Sequence, residues 1–170
     1  LIDIIAGARP NFIKISPIID VLENLALEHI SYRFIHTGQH YDENMSDSIL
    51  KQLGIPKPFI NFEVESGTHA QQTARIMICY EQLLIEKVSD ICIVVGDVNS
   101  TMACTIVAKK MCVKVAHIEG GIRSGDLSMP EEINRIVTDR LSDILFCPTE
   151  SAIDNLINEG VNQEKIHFVG

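Results

Sequence analysis

Residues 91–101 read "ICIVVGDVNST": five apolar residues from Ile91 to Val95, then Gly96 and Asp97, then Asn99 and Ser100 in position to cap a helix. A run this short without polar alternation is a strand covered on both faces, as in a parallel sheet, rather than a helix or a half-wet strand. The glycine ends the strand and the capping residues open a helix, so the stretch is a strand–loop–helix unit. Similar apolar runs recur at 2–6, 33–36, 114–118, 144–147 and 166–169, with a weaker extended segment at 59–64.

Longer periodic segments fill the gaps. Helix one lies within 10–28 and contains Pro17, which kinks it or restarts it with Ser16 as cap. A helix near 67–87 carries Ala70, Ala74, Met77, Ile78 and Leu84 on one face, and another near 149–159 opens at Thr149 and closes before Gly160. Strands alternating with helices give an α/β chain: a doubly wound parallel sheet of about seven strands with six helices. No linker and no repeat divides it, so one domain is expected. The last strand, "KIHFVG", stops where a strand-to-helix loop would begin, as expected of a piece cut from a longer protein at a domain boundary.

A 170-residue chain can bury a substantial core. Its formal charge of −9 argues against nucleic-acid and anionic-membrane surfaces, which need a basic face. Five cysteines, an odd number with no C-x-x-C pair, indicate a reducing compartment and no structural zinc. No apolar stretch reaches the ~18 residues of a membrane span, and the start lacks the basic region of a secretion signal. A cytoplasmic protein is expected.

Ligands of open doubly wound sheets bind beyond the carboxyl ends of the strands. Four polar loops fall there: "GARPNFIK", "TGQHYDE", "GDVNST" and "EGGIRSGDLSMPEE". Arg9 and Lys14 flank the start of helix one, where an anion is favoured. The loop has neither a dinucleotide fingerprint nor a Walker A pattern. Asp97 ends one strand and Glu119 the next, and two carboxylates on neighbouring strand tips would push each other's pKa upward, as acid–base work near neutral pH requires. Ser128-Met129-Pro130-Glu131 fits a capping box, and on spacing alone that role is favoured for Glu131; Arg135, four residues on, could pair with it. His36 and His40 are four apart but straddle a glycine after a strand, so His40 is expected to hydrogen-bond rather than bind metal. His117, inside a strand, is expected in the core or at a strand edge.

With these residues assembled, the chain resembles the non-hydrolysing UDP-N-acetylglucosamine 2-epimerases along its whole length. The family's G-T-R-P-E and Lys appear as Gly7-Ala8-Arg9-Pro10-Asn11 with Lys14, T-G-Q-H as Thr37–His40, and G-D as Gly96-Asp97. H-[VI]-E-A-G-[LI]-R appears as His117–Arg123 with Gly120 for Ala, P-E-E-x-N-R as Pro130–Arg135, and P-T-E as Pro148–Glu150. The resemblance implies that residues 1–170 are the Rossmann-like N-terminal half of a GT-B-type two-domain fold, with a C-terminal nucleotide-binding domain absent from this chain. It further implies inversion of sugar C2 by anti elimination of UDP to 2-acetamidoglucal and re-addition, with no cofactor and no metal. Proton transfer would fall to Asp97, Glu119 and Glu131, which overturns the preference for Glu131 as a cap. Substrate contacts would fall to Arg9, Lys14, Gln39, His40, Arg123 and Arg135. The implied partner is a UDP-sugar, with no nucleic acid and no membrane, and the full-length protein is expected to be a homodimer.

Two departures stand out. Asn11 replaces a Glu, and Gly120 replaces an Ala in the loop holding Glu119. The missing half would grip the uridine diphosphate and supply a catalytic His, so the isolated chain is expected to be inactive. A hydrolysing 2-epimerase, releasing UDP and N-acetylmannosamine, is the alternative enzyme. A receiver-like or binding module is the alternative of another class, though such modules gather acids at strand one, where Ile5, Ala6 and Gly7 stand here.

Overall fold

The computed structural model describes residues 1–25, 29–38 and 50–170. Its strands are β1 (Ile2–Ala6), β2 (Tyr32–His36), β3 (Ile60–Asn61), β4 (Ile91–Val95), β5 (Lys114–Ile118), β6 (Ile144–Cys147) and β7 (Ile166–Phe168). All seven form one parallel sheet in the order β3-β2-β1-β4-β5-β6-β7. The chain winds outward from β1 to β3, returns to β4 beside β1, and winds the other way. That reversal is the topological switch point of a doubly wound sheet, and it places a crevice beyond the carboxyl ends of β1 and β4.

The helices are α1 (Arg9–Asn24), α2 (His69–Glu86), α3 (Asn99–Lys110), α4 (Pro130–Leu141) and α5 (Glu150–Asn158). Because successive strand residues point to opposite faces, Ile4 and Ala6 pack with Phe12, Ile15 and Ile19 of α1, while Ile5 packs with Tyr80 and Leu84 of α2 and Ala103 and Val107 of α3. Both faces are covered, which is why β4 and β6 read as unbroken apolar runs and the other strands as mostly apolar ones. A smaller cluster of Leu145, Cys147, Ala152 and Leu156 seats α5. Each fully buried Ile, Leu, Val or Phe contributes roughly 1.5–3 kcal/mol.

Two local expectations are corrected. The buried face of α2 is Ile76, Tyr80, Leu83 and Leu84, whereas Ala70, Ala74 and Ile78 are exposed. The stripe is centred on Tyr80, whose hydroxyl donates to buried Asp3 at 3.0 Å and so needs to face inward. Helix α1 runs through Pro17 without restarting, and Ser16 caps nothing: its hydroxyl donates to the Leu53 carbonyl at 2.9 Å. At α5 the expected cap forms, with Thr149 Oγ1 accepting the Ala152 N–H at 3.2 Å.

Candidate active site

Four segments meet around the switch point. At the β1 tip, a Cβ on Gly7 would lie 2.0 Å from Ser100 Oγ and 2.8 Å from Thr37 Oγ1, so the turn packs directly against the start of α3 and any side chain there would have to push those hydroxyls aside. Arg9 is exposed at the first residue of α1. Asn11, the departure from the family's Glu, is buried and works as an internal tie: its Oδ1 accepts the Ala8 N–H at 2.9 Å and its Nδ2 donates to the Val95 carbonyl at 3.2 Å. Lys14 reaches across to Glu119, with Nζ 2.5 Å from Oε2.

At the β4 tip, Gly96 takes φ +70°, a left-handed conformation that favours glycine. A Cβ there would sit 3.2 Å from Asn11 Nδ2 and 3.5 Å from Glu119 Oε2, which places the β4 turn directly beside the Lys14–Glu119 pair. Asp97 follows. Its carboxylate pairs with the Arg135 guanidinium, and its carbonyl accepts from Asn134 Nδ2 at 2.8 Å.

Glu119 ends β5 in the left-handed region at φ +72°, although it is not glycine. Such a conformation costs of order 1–3 kcal/mol and persists where its surroundings enforce it, commonly at functional positions. The Phe146 carbonyl at the neighbouring strand end enforces it here, accepting both the Glu119 and Gly120 N–H groups at 3.1 and 3.0 Å.

Helix α4 supplies the last wall with its polar side. Its apolar residue Ile133 is 47 % exposed, whereas Glu132, Asn134, Thr138 and Asp139 are buried. Glu132 accepts the Ser124 and Gly125 N–H groups at 3.0 and 2.9 Å and the Arg135 Nη1–H at 3.0 Å. Burial alone would raise its pKa, but these donors outweigh it and hold the carboxyl at about 2. Glu131 is half-buried and makes no side-chain hydrogen bond or ion pair among the described residues. The capping box does not form: Met129 is the N-cap without a side-chain bond, and Ser128 Oγ donates to Asp126.

The fold thus brings Asp97 and Glu119 onto adjacent strand tips, with Lys14 and Arg135 paired to them, Glu131 in the first turn of the helix that holds Asp97, and Arg9 exposed where α1 begins beyond the β1 tip. One expectation changes. Each strand-tip acid is joined to a cation, not to the other acid, so mutual repulsion is not what organises the rim. Arg123 is committed elsewhere: four of its five N–H groups go to Glu159, Asp139 and the Ile122 carbonyl. Gln39 and His40 lie outside the described residues. Among those described, no group of three His, Cys, Asp or Glu could hold a metal.

The family model for UDP-N-acetylglucosamine 2-epimerase matches residues 23–170. The chain belongs to this family. A UDP-N-acetylglucosamine 2-epimerase from Methanocaldococcus jannaschii is 46 % identical over 169 residues, covering 99 % of this chain and 45 % of that protein. The crystal structure of the M. jannaschii enzyme in complex with UDP-GlcNAc and UDP matches with a TM-score of 0.94 at 46 % identity, over 99 % of this chain and 46 % of that one. A UDP-2,3-diacetamido-2,3-dideoxy-D-glucuronate 2-epimerase from Pseudomonas aeruginosa is 48 % identical over 166 residues, 97 % of this chain and 46 % of that protein. The chain spans about half the length of the curated relatives it matches. Its fold is that of the N-terminal half of a GT-B-type enzyme.

In this 2-epimerase family member, three site-shaping residues had no role assigned from sequence: Glu132 and Asn134, which stand in the P-E-E-x-N-R match, and Asp139. The signal was present but inverted. In "PEEINRIVTDRL" the apolar residues suggest an inward face, yet the fold turns the polar one inward because the strand-tip loops offer it backbone N–H and C=O groups. Among the described residues no helix is long and apolar enough to cross a membrane.

Proposed function

We propose that the complete protein, pairing this N-terminal domain with a C-terminal nucleotide-binding domain, interconverts UDP-N-acetylglucosamine and UDP-N-acetylmannosamine. A carboxylate takes the C2 proton as the C1–oxygen bond breaks, giving 2-acetamidoglucal and UDP. UDP then re-adds at C1 while a proton is delivered to the opposite face of C2. No redox equivalent enters or leaves, so the chemistry asks only for acid–base groups, of which this domain supplies carboxylates. Asp97, Glu119 and Glu131 are assigned the proton transfers. Lys14 and Arg135 fix the direction of Glu119 and Asp97, and exposed Arg9 at the start of α1 meets the anionic substrate, helped by the helix dipole.

The observation that carries this proposal is the convergence of Asp97 and Glu119 on adjacent tips at the switch point, each oriented by its own cation. The complete protein is tested by product analysis with UDP-N-acetylglucosamine. The sugar still joined to UDP, in both C2 configurations, is the expected outcome. Free UDP with N-acetylmannosamine would assign the hydrolysing reaction instead, and no change at C2 would refute both. Residues 1–170 alone are expected to turn over nothing measurable. The identity to the Pseudomonas relative favours a second substrate, the 2,3-diacetamido uronate nucleotide. Side-by-side kcat/KM values for the two sugars decide between them.

A further inference from the structure

One buried acid reaches both loops that carry the strand-tip carboxylates. Asp139, on α4, is 2 % exposed, and its Oδ1 lies 2.6 Å from Nδ1 of His117, which is fully buried in β5. The other ring nitrogen, Nε2, lies 2.8 Å from the carbonyl oxygen of Gly96. A carbonyl can only accept, so Nε2 carries hydrogen and donates to the residue immediately before Asp97. The second oxygen of Asp139 accepts the Gly121 N–H at 3.0 Å and an Arg123 N–H at 2.7 Å, two and four residues after Glu119. Arg123 in turn pairs with Glu159 just beyond α5, at 2.7 Å.

Both gripped loops contain left-handed backbone: Gly96 at φ +70°, Glu119 at +72° and Gly121 at +83°. The departure at position 120 also gains a reason. A Cβ on Gly120 would meet Asp139 Oδ1 at 3.3 Å and Leu145 Cδ2 at 2.9 Å, so its absence leaves the carboxylate room to reach His117. Burying a carboxylate, a guanidinium and an imidazole together is costly compared with apolar packing of the same volume.

Building on the epimerase assignment above, we propose that Asp139 is a positioning residue which, through His117 and the Gly121 amide, sets the backbone of both carboxylate loops, Gly96–Asp97 and Glu119–Gly121. It touches no substrate. It fixes the separation and direction of the two groups that do, and a displacement of about 1 Å between reacting groups costs on the order of 10²-fold in rate.

The test compares the complete wild-type protein with Asp139→Asn and His117→Gln by hydrogen–deuterium exchange and by kinetics. In Asp139→Asn, peptides covering 94–99 and 117–123 are both expected to exchange roughly tenfold faster or more. In His117→Gln the acceleration is expected at 94–99 and not at 119–123. Turnover per folded Asp139→Asn molecule is expected to fall on the order of 10- to 100-fold, with KM changed less than about threefold. A lowered melting temperature with unchanged turnover per folded molecule would mean a structural role only and overturn the proposal, as would unchanged exchange in either loop. Should Asp139→Asn fail to fold, unchanged exchange at 94–99 in His117→Gln overturns it equally. A wild-type protein that leaves C2 unaltered sinks the epimerase assignment, while the exchange comparison still judges the clamp.

Discussion

The two ends of the sheet carry the same chemistry in opposite settings. At the amino end, Asp3 of β1 and Arg33 of β2 are register partners and form a bidentate pair at 2.7 and 2.9 Å, with the Tyr80 hydroxyl and the Lys87 carbonyl completing the set. The Asp3 and Arg33 side chains are 0 % and 5 % exposed. At the carboxyl end, Lys14–Glu119 and Arg135–Asp97 keep between 15 % and 33 % of each side chain in solvent. A sealed pair with every acceptor used can hold two strands in register and nothing more. An open pair can exchange its partner for a ligand. Burial, not residue type, separates structural from chemical use of acids in this molecule.

Breaking the open end should cost rate, not stability. Asp97→Asn or Glu119→Gln in the complete protein is expected to lose ~10²–10⁴-fold of turnover, with little shift of the melting temperature; losses under tenfold at both sites would erase the distinction. Breaking the sealed end should do the reverse. Asp3→Ala strands Arg33 in the core and is expected to cost about 3–5 kcal/mol in urea unfolding, and an unchanged unfolding midpoint would contradict it.

Glu132 sharpens the comparison because it is sealed yet sits beside the rim. Its folded carboxyl is held at about 2 against the usual 4.5, so its contribution is complete above pH 4.5 and disappears as the pH falls from there toward 2. The unfolding midpoint of wild type is expected to drop through that window, and Glu132→Gln to flatten the drop. Equal pH slopes in the two proteins would show that the Ser124 and Gly125 amides do not stabilise the charge. The smallest effect belongs to an ordinary surface pair. Lys109–Asp143, about a third exposed on both sides, should change stability by under ~1 kcal/mol when Lys109 becomes Met.

The sheet was legible because a strand buried on both faces has no polar alternation to mislead: the limits of β1, β4, β5 and β6 coincide with their apolar runs. Side-chain direction was less so. Ile78 was expected inward on helical spacing, but it lies one step off the stripe that Tyr80 fixes by bonding Asp3, 77 residues away, and no local pattern carries that contact. At the rim, the positions of Asp97 and Glu119 followed from strand ends and sheet order. Their partners did not, because Lys14 and Arg135 arrive from helices 105 and 38 residues distant along the chain. Helix α4 was opaque for the reason that makes it useful: toward the strand-tip loops and His117 of β5 it buries hydrogen-bonding groups where a helix ordinarily buries aliphatic ones.

The most direct measurement is the fate of the sugar's C2 hydrogen when the complete protein works in heavy water. Deuterium should appear at C2 of the UDP-linked sugar with wild type and fall by at least about a hundredfold with Asp97→Asn or Glu119→Gln. Epimerisation that leaves the original hydrogen on C2, or incorporation that survives both substitutions intact, would contradict a rim of carboxylates moving that proton.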